Sequence, residues 1–202
     1  MGVIDDLRTL AASLEAGDAE ARFVGSELRL VETGCVRAAA ANREADYLGA
    51  VMWKRLALES TIRISWIVGD AFEADDAGEL MVASAEVRLR CQRLKARDVL
   101  NLLSTYKSIS NNQGSTDAEL VEGMERLASS RAVVPAPRSI SDLAIHPTQR
   151  ALYAQFRLCS SVVHPGELAA SQSAREKASV LVDEVAVMGV TFARSVLRTL
   201  AS

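Results

Sequence analysis

The chain has 202 residues, 49% of them hydrophobic and 24% charged, with a net charge of −3. That composition excludes a disordered chain, and the length fits one domain, residues 1–202. The acidic balance, with a pI near 5.5, excludes a general basic field for nucleic acid or anionic membrane, so any such contact needs a local patch.

Aromatic residues make up only 4%, so the apolar content is mainly Ala, Leu and Val, and the first two favour helix. All four prolines fall between 135 and 165. Because proline breaks helices, this predicts a long helical part, a punctuated connector and a final helical part. A first helix is predicted over about 3–15, ending at Gly17. Asp18 then caps a helix running to about 42, in which Val24, Leu28, Val31 and Cys35 have the i, i+4, i+7, i+11 spacing of a buried stripe. Helices over about 44–71 and 74–108 follow, and a shorter one over 117–130 with Thr116 as its cap. The connector VVPAPRSISDLAIHP has room for one helical turn near 140–145. A helix over about 148–164 is stopped by Pro165-Gly166, and a last one spans about 171–200 with Leu181, Val185, Met188, Phe192 and Val196 inward. The expectation is an all-α fold, a single bundle of five to seven mostly antiparallel helices, with 109–147 its most mobile part.

The three cysteines, Cys35, Cys91 and Cys159, form no CxxC pair, which argues against a disulfide framework or a zinc site. With His146 and His164 the only histidines, no metal and no cofactor are expected. The first twenty residues lack the apolar core of a signal peptide, and no run approaches the roughly 18 apolar residues of a membrane span, so a cytoplasmic location without membrane contact is expected.

Two helices place polar groups where packing alone would choose apolar ones. Leu48, Met52, Arg55, Glu59, Ile62 and Trp66 share one stripe of the 44–71 helix, with Arg55 and Glu59 one turn apart at its centre. They form either a solvated face or interhelical ion pair, or the backing of a site. In the 148–164 helix, Leu152, Phe156, Cys159 and Val163 make an apolar stripe, and Tyr153, Arg157, Ser160 and His164 repeat its spacing about 100° around. This second row offers a phenol, a guanidinium, a hydroxyl and an imidazole along about 16 Å of helix. His164 falls in the last turn, where the helix dipole favours an imidazolium. Beside an arginine it is suited to phosphate handling or acid–base chemistry, or else the row satisfies neighbouring carbonyls and caps the helix. The segment 86–98 holds five basic and two acidic residues, either an RNA-facing patch or a solvated helix face.

The RxxxE helix with Arg55, Glu59 and Trp66, a proline-containing connector and then LYAQFRLCSSVVHPG resembles an uncharacterised bacterial helical family, domain of unknown function 5677. Its hallmark is a Tyr-containing helix ending in Ser-x-x-x-His-Pro, matched by Tyr153, Ser160, His164 and Pro165, and the resemblance covers about 40–170. The chain is more distantly similar to the HEPN superfamily of helical bundles, many of them metal-independent ribonucleases of toxin or antiphage systems. The HEPN motif, an Arg, four to six residues and a His at a helix end, is used at a dimer interface. Arg157 and His164, with six residues between them, fit it, but the position after the Arg, usually polar in active members, is Leu158.

The resemblance implies an RNA-binding or metal-independent RNA-cleaving protein of bacterial defence or stress response, acting as a homodimer or with a protein partner. In its catalytic form Arg157 and His164 carry the chemistry, Tyr153 and Ser160 position the phosphate, and Arg55 and Glu59 stand behind them. The rival reading is a non-catalytic scaffold or adaptor whose polar row fixes helix register. The two part on whether Arg157 and His164 are open or sealed inside the bundle.

Overall fold

A computed structural model describes residues 2–69, 77–113, 118, 121–123, 125–126, 137 and 139–201. They form eight α-helices and no strand: α1 (Val3–Glu15), α2 (Ala19–Arg43), α3 (Tyr47–Val68), α4 (Ala77–Gln113), α5 (Pro147–Val163), α6 (Glu167–Ala170), α7 (Gln172–Ser179) and α8 (Val182–Leu200), with a 3₁₀ turn at Ile140–Leu143 before α5. The all-α expectation holds. Of the predicted 117–130 helix, residues 118, 121–123 and 125–126 are described and helical, and its other residues, with 114–116, 131–136 and 138 of the 109–147 connector, lie outside the described residues, while α4 itself runs on to Gln113.

Local chemistry sets the helix boundaries. The Asp18 carboxylate accepts the Ala21 N–H at 2.9 Å and Asp46 accepts the Gly49 N–H at 2.9 Å, each satisfying an orphan donor of a first turn. Between α2 and α3, Ala45 takes a left-handed φ of 57° while the N–H groups of Glu44, Ala45 and Asp46 bond carbonyls in the last turn of α2. This turns the chain back along itself. The two helices then pack so closely that a Cβ on Gly34 would stand 2.7 Å from the Trp53 carbonyl oxygen. Glycine is the residue that allows this approach.

The stripe of α2 is inside as predicted: Val24, Leu28 and Val31 are fully buried and Cys35 nearly so. Helix α3 is the central element. From Leu58 to Val68 most of its side chains are buried, on all sides, because α2, α5 and α8 pack around it. The predicted stripe of α3 is therefore split. Ile62 and Trp66 are buried, but Leu48 and Met52 are exposed. Helix α5 docks on α3 through Leu152, Phe156, Cys159 and Val162, and α8 closes the bundle with Val185, Ala186, Val190, Ala193 and Val196.

The predicted last helix is in fact two, α7 and α8, preceded by the short α6, and this takes the count one above the expected range. The break falls at Leu181, which has φ 65° and ψ 31° and is half exposed rather than inward. Lys54, buried under the joint, explains why the helix stops there. Its Nζ donates to the carbonyls of Ala178 and Val180, taking acceptors that a continuing helix would have used.

The three cysteines are free and buried, and burial pushes the Cys35 and Cys91 thiols up to about 12. That disfavours the reactive thiolate. No group of three or more His, Cys, Asp or Glu converges among the described residues. No described helix is long and apolar enough to cross a membrane.

Candidate functional site

Helix α5 begins and ends as its sequence dictates. Pro147 occupies the first turn, where its missing N–H costs nothing. The buried Gln149 side chain reaches back, accepting the N–H groups of Ile145 at 2.9 Å and His146 at 3.0 Å. At the other end His164 leaves the helix with φ −78° and ψ 145°, its N–H still bonded to the Ser160 carbonyl at 3.0 Å. Pro165 then forbids continuation.

The polar row on α5 divides into two parts. The inner part is tied to α3. Arg55 Nε donates to Ser160 Oγ at 3.0 Å, and the Arg55 guanidinium lies over the Phe156 ring, 5.2 Å from its centroid. Tyr153 stacks on the other side of this group, its ring 6.1 Å from that of Phe156 at 20° between planes. Arg55, Ser160, Phe156 and Tyr153 thus form one contact set that fixes the register of α5 on α3.

The outer part is open. Arg157 and His164 are exposed, and neither side chain makes a hydrogen bond or ion pair among the described residues. At Arg157 the backbone carbonyl accepts the Ser161 hydroxyl at 2.9 Å. Sequence reading missed a third member, Arg150, exposed seven residues before Arg157, as Arg157 is seven before His164. Seven residues are nearly two full turns, so the three share a line about 21 Å long. The signal was present in the spacing, and in the fact that PTQRALYAQFRLCSSVV contains two arginines and no carboxylate.

Glu59 does not join this row. It is half-buried on α3, and its electrostatic neighbours are Arg63 and Arg97. It bonds neither Tyr153, Arg157 nor His164, so only Arg55 of the α3 pair backs α5.

Of the five bases in the run 86–98 on α4, three bond other groups of the chain, Arg97 is buried, and Arg93 is half-buried with its Nε lacking a hydrogen-bond partner among the described residues. Arg88 pairs with Asp18, and Arg90 with Glu86 at 2.8 Å and with the Trp66 carbonyl at 2.9 Å. Lys95 donates to the Ala19 carbonyl at 2.8 Å, and Arg97 is buried. Asp98 from the same run meets Arg63, which also reaches Glu27 at 2.9 Å. Glu27 and Arg63 are 6% and 8% exposed, so this group is an interior network joining α2, α3 and α4. Burial works against the Arg63 charge, and Asp98 and Glu27 outweigh it. Around Arg97 the balance is reversed, although Asp98, Glu59 and Asp142 favour its charge. Burial and the neighbouring Arg63 both push its pKa down.

No protein-family model, no curated protein and no solved structure matches this chain. What stands is an all-α bundle with an exposed row along α5: Arg150, Arg157 and His164.

Proposed function

We propose that the exposed side of α5 binds RNA, with Arg150, Arg157 and His164 meeting successive phosphates. The observation that carries this reading is that Arg157 and His164 are solvent-exposed and, among the described residues, unpaired on a helix without a carboxylate, whereas Arg88, Arg90 and Lys95 of the other basic run are paired within the chain. Unpaired cations in a line are what a phosphate backbone requires.

The reading extends to cleavage. The RNA 2′-oxygen attacks the adjacent phosphorus, the 5′-oxygen leaves, and a cyclic phosphate remains. His164 moves the proton and Arg157 stabilises the phosphorane charge. Within one chain the two residues stand about 10.5 Å apart along the helix axis. Arginine also leans toward the N-terminus of its helix, away from His164. A single phosphate is then reached by both groups only when a second copy supplies one of them, so the cleaving form is a homodimer.

The adaptor reading draws on the inner half of the row. Arg55, Ser160, Phe156 and Tyr153 already fix helix register without any ligand. A paired assay separates the two readings: binding and cleavage of a single-stranded RNA in EDTA, on wild type, Arg157→Ala and His164→Ala, with thermal melting alongside. Binding is expected to fall in Arg157→Ala, and cleavage to fall about 10²–10⁴-fold in His164→Ala, with melting unchanged. Equal RNA binding by wild type and Arg157→Ala, both folded, would remove this face from the function.

A further inference from the structure

The last turn of α2, the end of α7 and the first turn of α8 border an open, shallow pocket of about 530 Å³, a size that suits a small molecule. It lies on other helices than the α5 row, and the inference drawn from it does not depend on the RNA reading.

Its floor is fixed and its wall is strained. Lys54 holds the carbonyls of Ala178 and Val180 from below, and Asn42 Nδ2 donates to the Ser179 carbonyl at 2.9 Å from the side. Above them Leu181 is kept in the left-handed region, at φ 65°, which a residue with a β-carbon rarely adopts. Strain of this kind persists only where its surroundings enforce it, and it gathers at ligand sites. Here its effect is to leave Val180 and Leu181 50% and 52% exposed, an apolar wall between the buried Ser179 and Val182.

The charges around the pocket are also unresolved. Arg43 of α2 and Asp183 and Glu184 of α8 all line it, all are exposed, and none makes a hydrogen bond or an ion pair. Helix dipoles account for a base at the end of α2 and acids at the start of α8. Among the described residues no hydrogen-bond or ion-pair partner holds any of the three, so all of them remain available to a ligand. Asn42 Oδ1, beside this wall, is sealed from solvent and has no hydrogen-bond partner among the described residues.

We infer that this pocket binds a small zwitterion with an apolar tail, a free aliphatic α-amino acid. Its carboxylate meets Arg43, its ammonium lies by Asp183 and Glu184, and its side chain rests on Val180 and Leu181. A ligand with both charges satisfies both sides of the pocket, while an amine or a carboxylic acid alone leaves one side desolvated and unpaired.

The probe is L-leucine, titrated into the ¹⁵N-labelled full chain and compared with its two half-molecules, isoamylamine and 4-methylpentanoate. Leucine is expected to give saturable amide shifts centred on residues 179–184. Each half-molecule is expected to bind at least about tenfold more weakly. Arg43→Gln should weaken leucine by about tenfold and leave isoamylamine unchanged. The double variant Asp183→Asn, Glu184→Gln should weaken leucine and leave 4-methylpentanoate unchanged, and the amide spectrum of each variant reports whether it is folded. Absence of saturable shifts up to about 20 mM leucine would overturn the inference. So would a half-molecule that binds as tightly as leucine, or shifts centred elsewhere in the bundle.

Discussion

Arg63 and Arg157 are the same residue type on two helices of one bundle, and their surroundings are opposite. Arg63, 8% exposed, lies between Glu27 and Asp98 and over the Phe23 ring, 5.7 Å from its centroid. Arg157 is exposed, and its side chain makes no hydrogen bond or ion pair among the described residues. Taking a charge out of water costs several kcal/mol, so an interior arginine persists only with its counter-charges in place, and those partners then exclude any other ligand. A surface arginine carries no such cost and keeps its donors for whatever arrives. Charge at the first position holds three helices together, and charge at the second is free for a partner outside the chain.

Substitutions can break this contrast from either side. Arg63→Ala strands the buried Glu27 carboxylate and is expected to cost about 3–5 kcal/mol in urea unfolding. A loss under about 1 kcal/mol would mean that Glu27 and Arg63 do not form an interior pair. Arg97→Met should move the other way and stabilise by about 1 kcal/mol, since it removes a buried cation whose Nε and one terminal nitrogen have no hydrogen-bond partner among the described residues.

Arg55 lies between the extremes, and Arg55→Met should cost about 1–3 kcal/mol by removing its bond to Ser160 and its contact with Phe156. Hydrogen exchange should locate that loss in α5, and uniform loosening of the bundle would contradict the register role assigned to Arg55.

The smallest effect belongs to Asp18, whose carboxyl is held below its usual range first by the Ala21 N–H and then by Arg88. A lowered pKa in the folded state means that its stabilisation is fully present above the ordinary aspartate value of 3.8 and is lost as pH falls through the folded value. Asp18→Ala should therefore cost about 1 kcal/mol at neutral pH, with the difference from wild type closing in strong acid. A difference that widens in acid would contradict this sign.

Most of the fold was legible in the sequence because proline placement and helical spacing are local signals. Asp18, the α2 stripe and the Pro165-Gly166 stop all act within a turn or two of themselves. The break at Leu181 was not legible, because no glycine or proline marks it. Its cause is Lys54, more than a hundred residues away. The inner half of the α5 row was visible as polar groups beside an apolar stripe, but spacing could not tell that Ser160 is met by Arg55 while Arg157 is met by nothing. Glu59 was misread for the same reason, since its position on α3 is local information and its neighbours Arg63 and Arg97 are not. The basic run on α4 resembled a surface patch until α2 and α3 supplied its partners.

The salt dependence of RNA binding tests the open row most directly. Affinity of a labelled single-stranded RNA for wild type and Arg157→Gln would be followed by anisotropy between about 50 and 200 mM salt. If Arg157 meets a phosphate, the variant binds more weakly and its log–log slope is shallower by about 0.7, one single-strand contact, with thermal melting unchanged. The same affinity and slope in both proteins would contradict the assignment of α5 as an RNA-binding face.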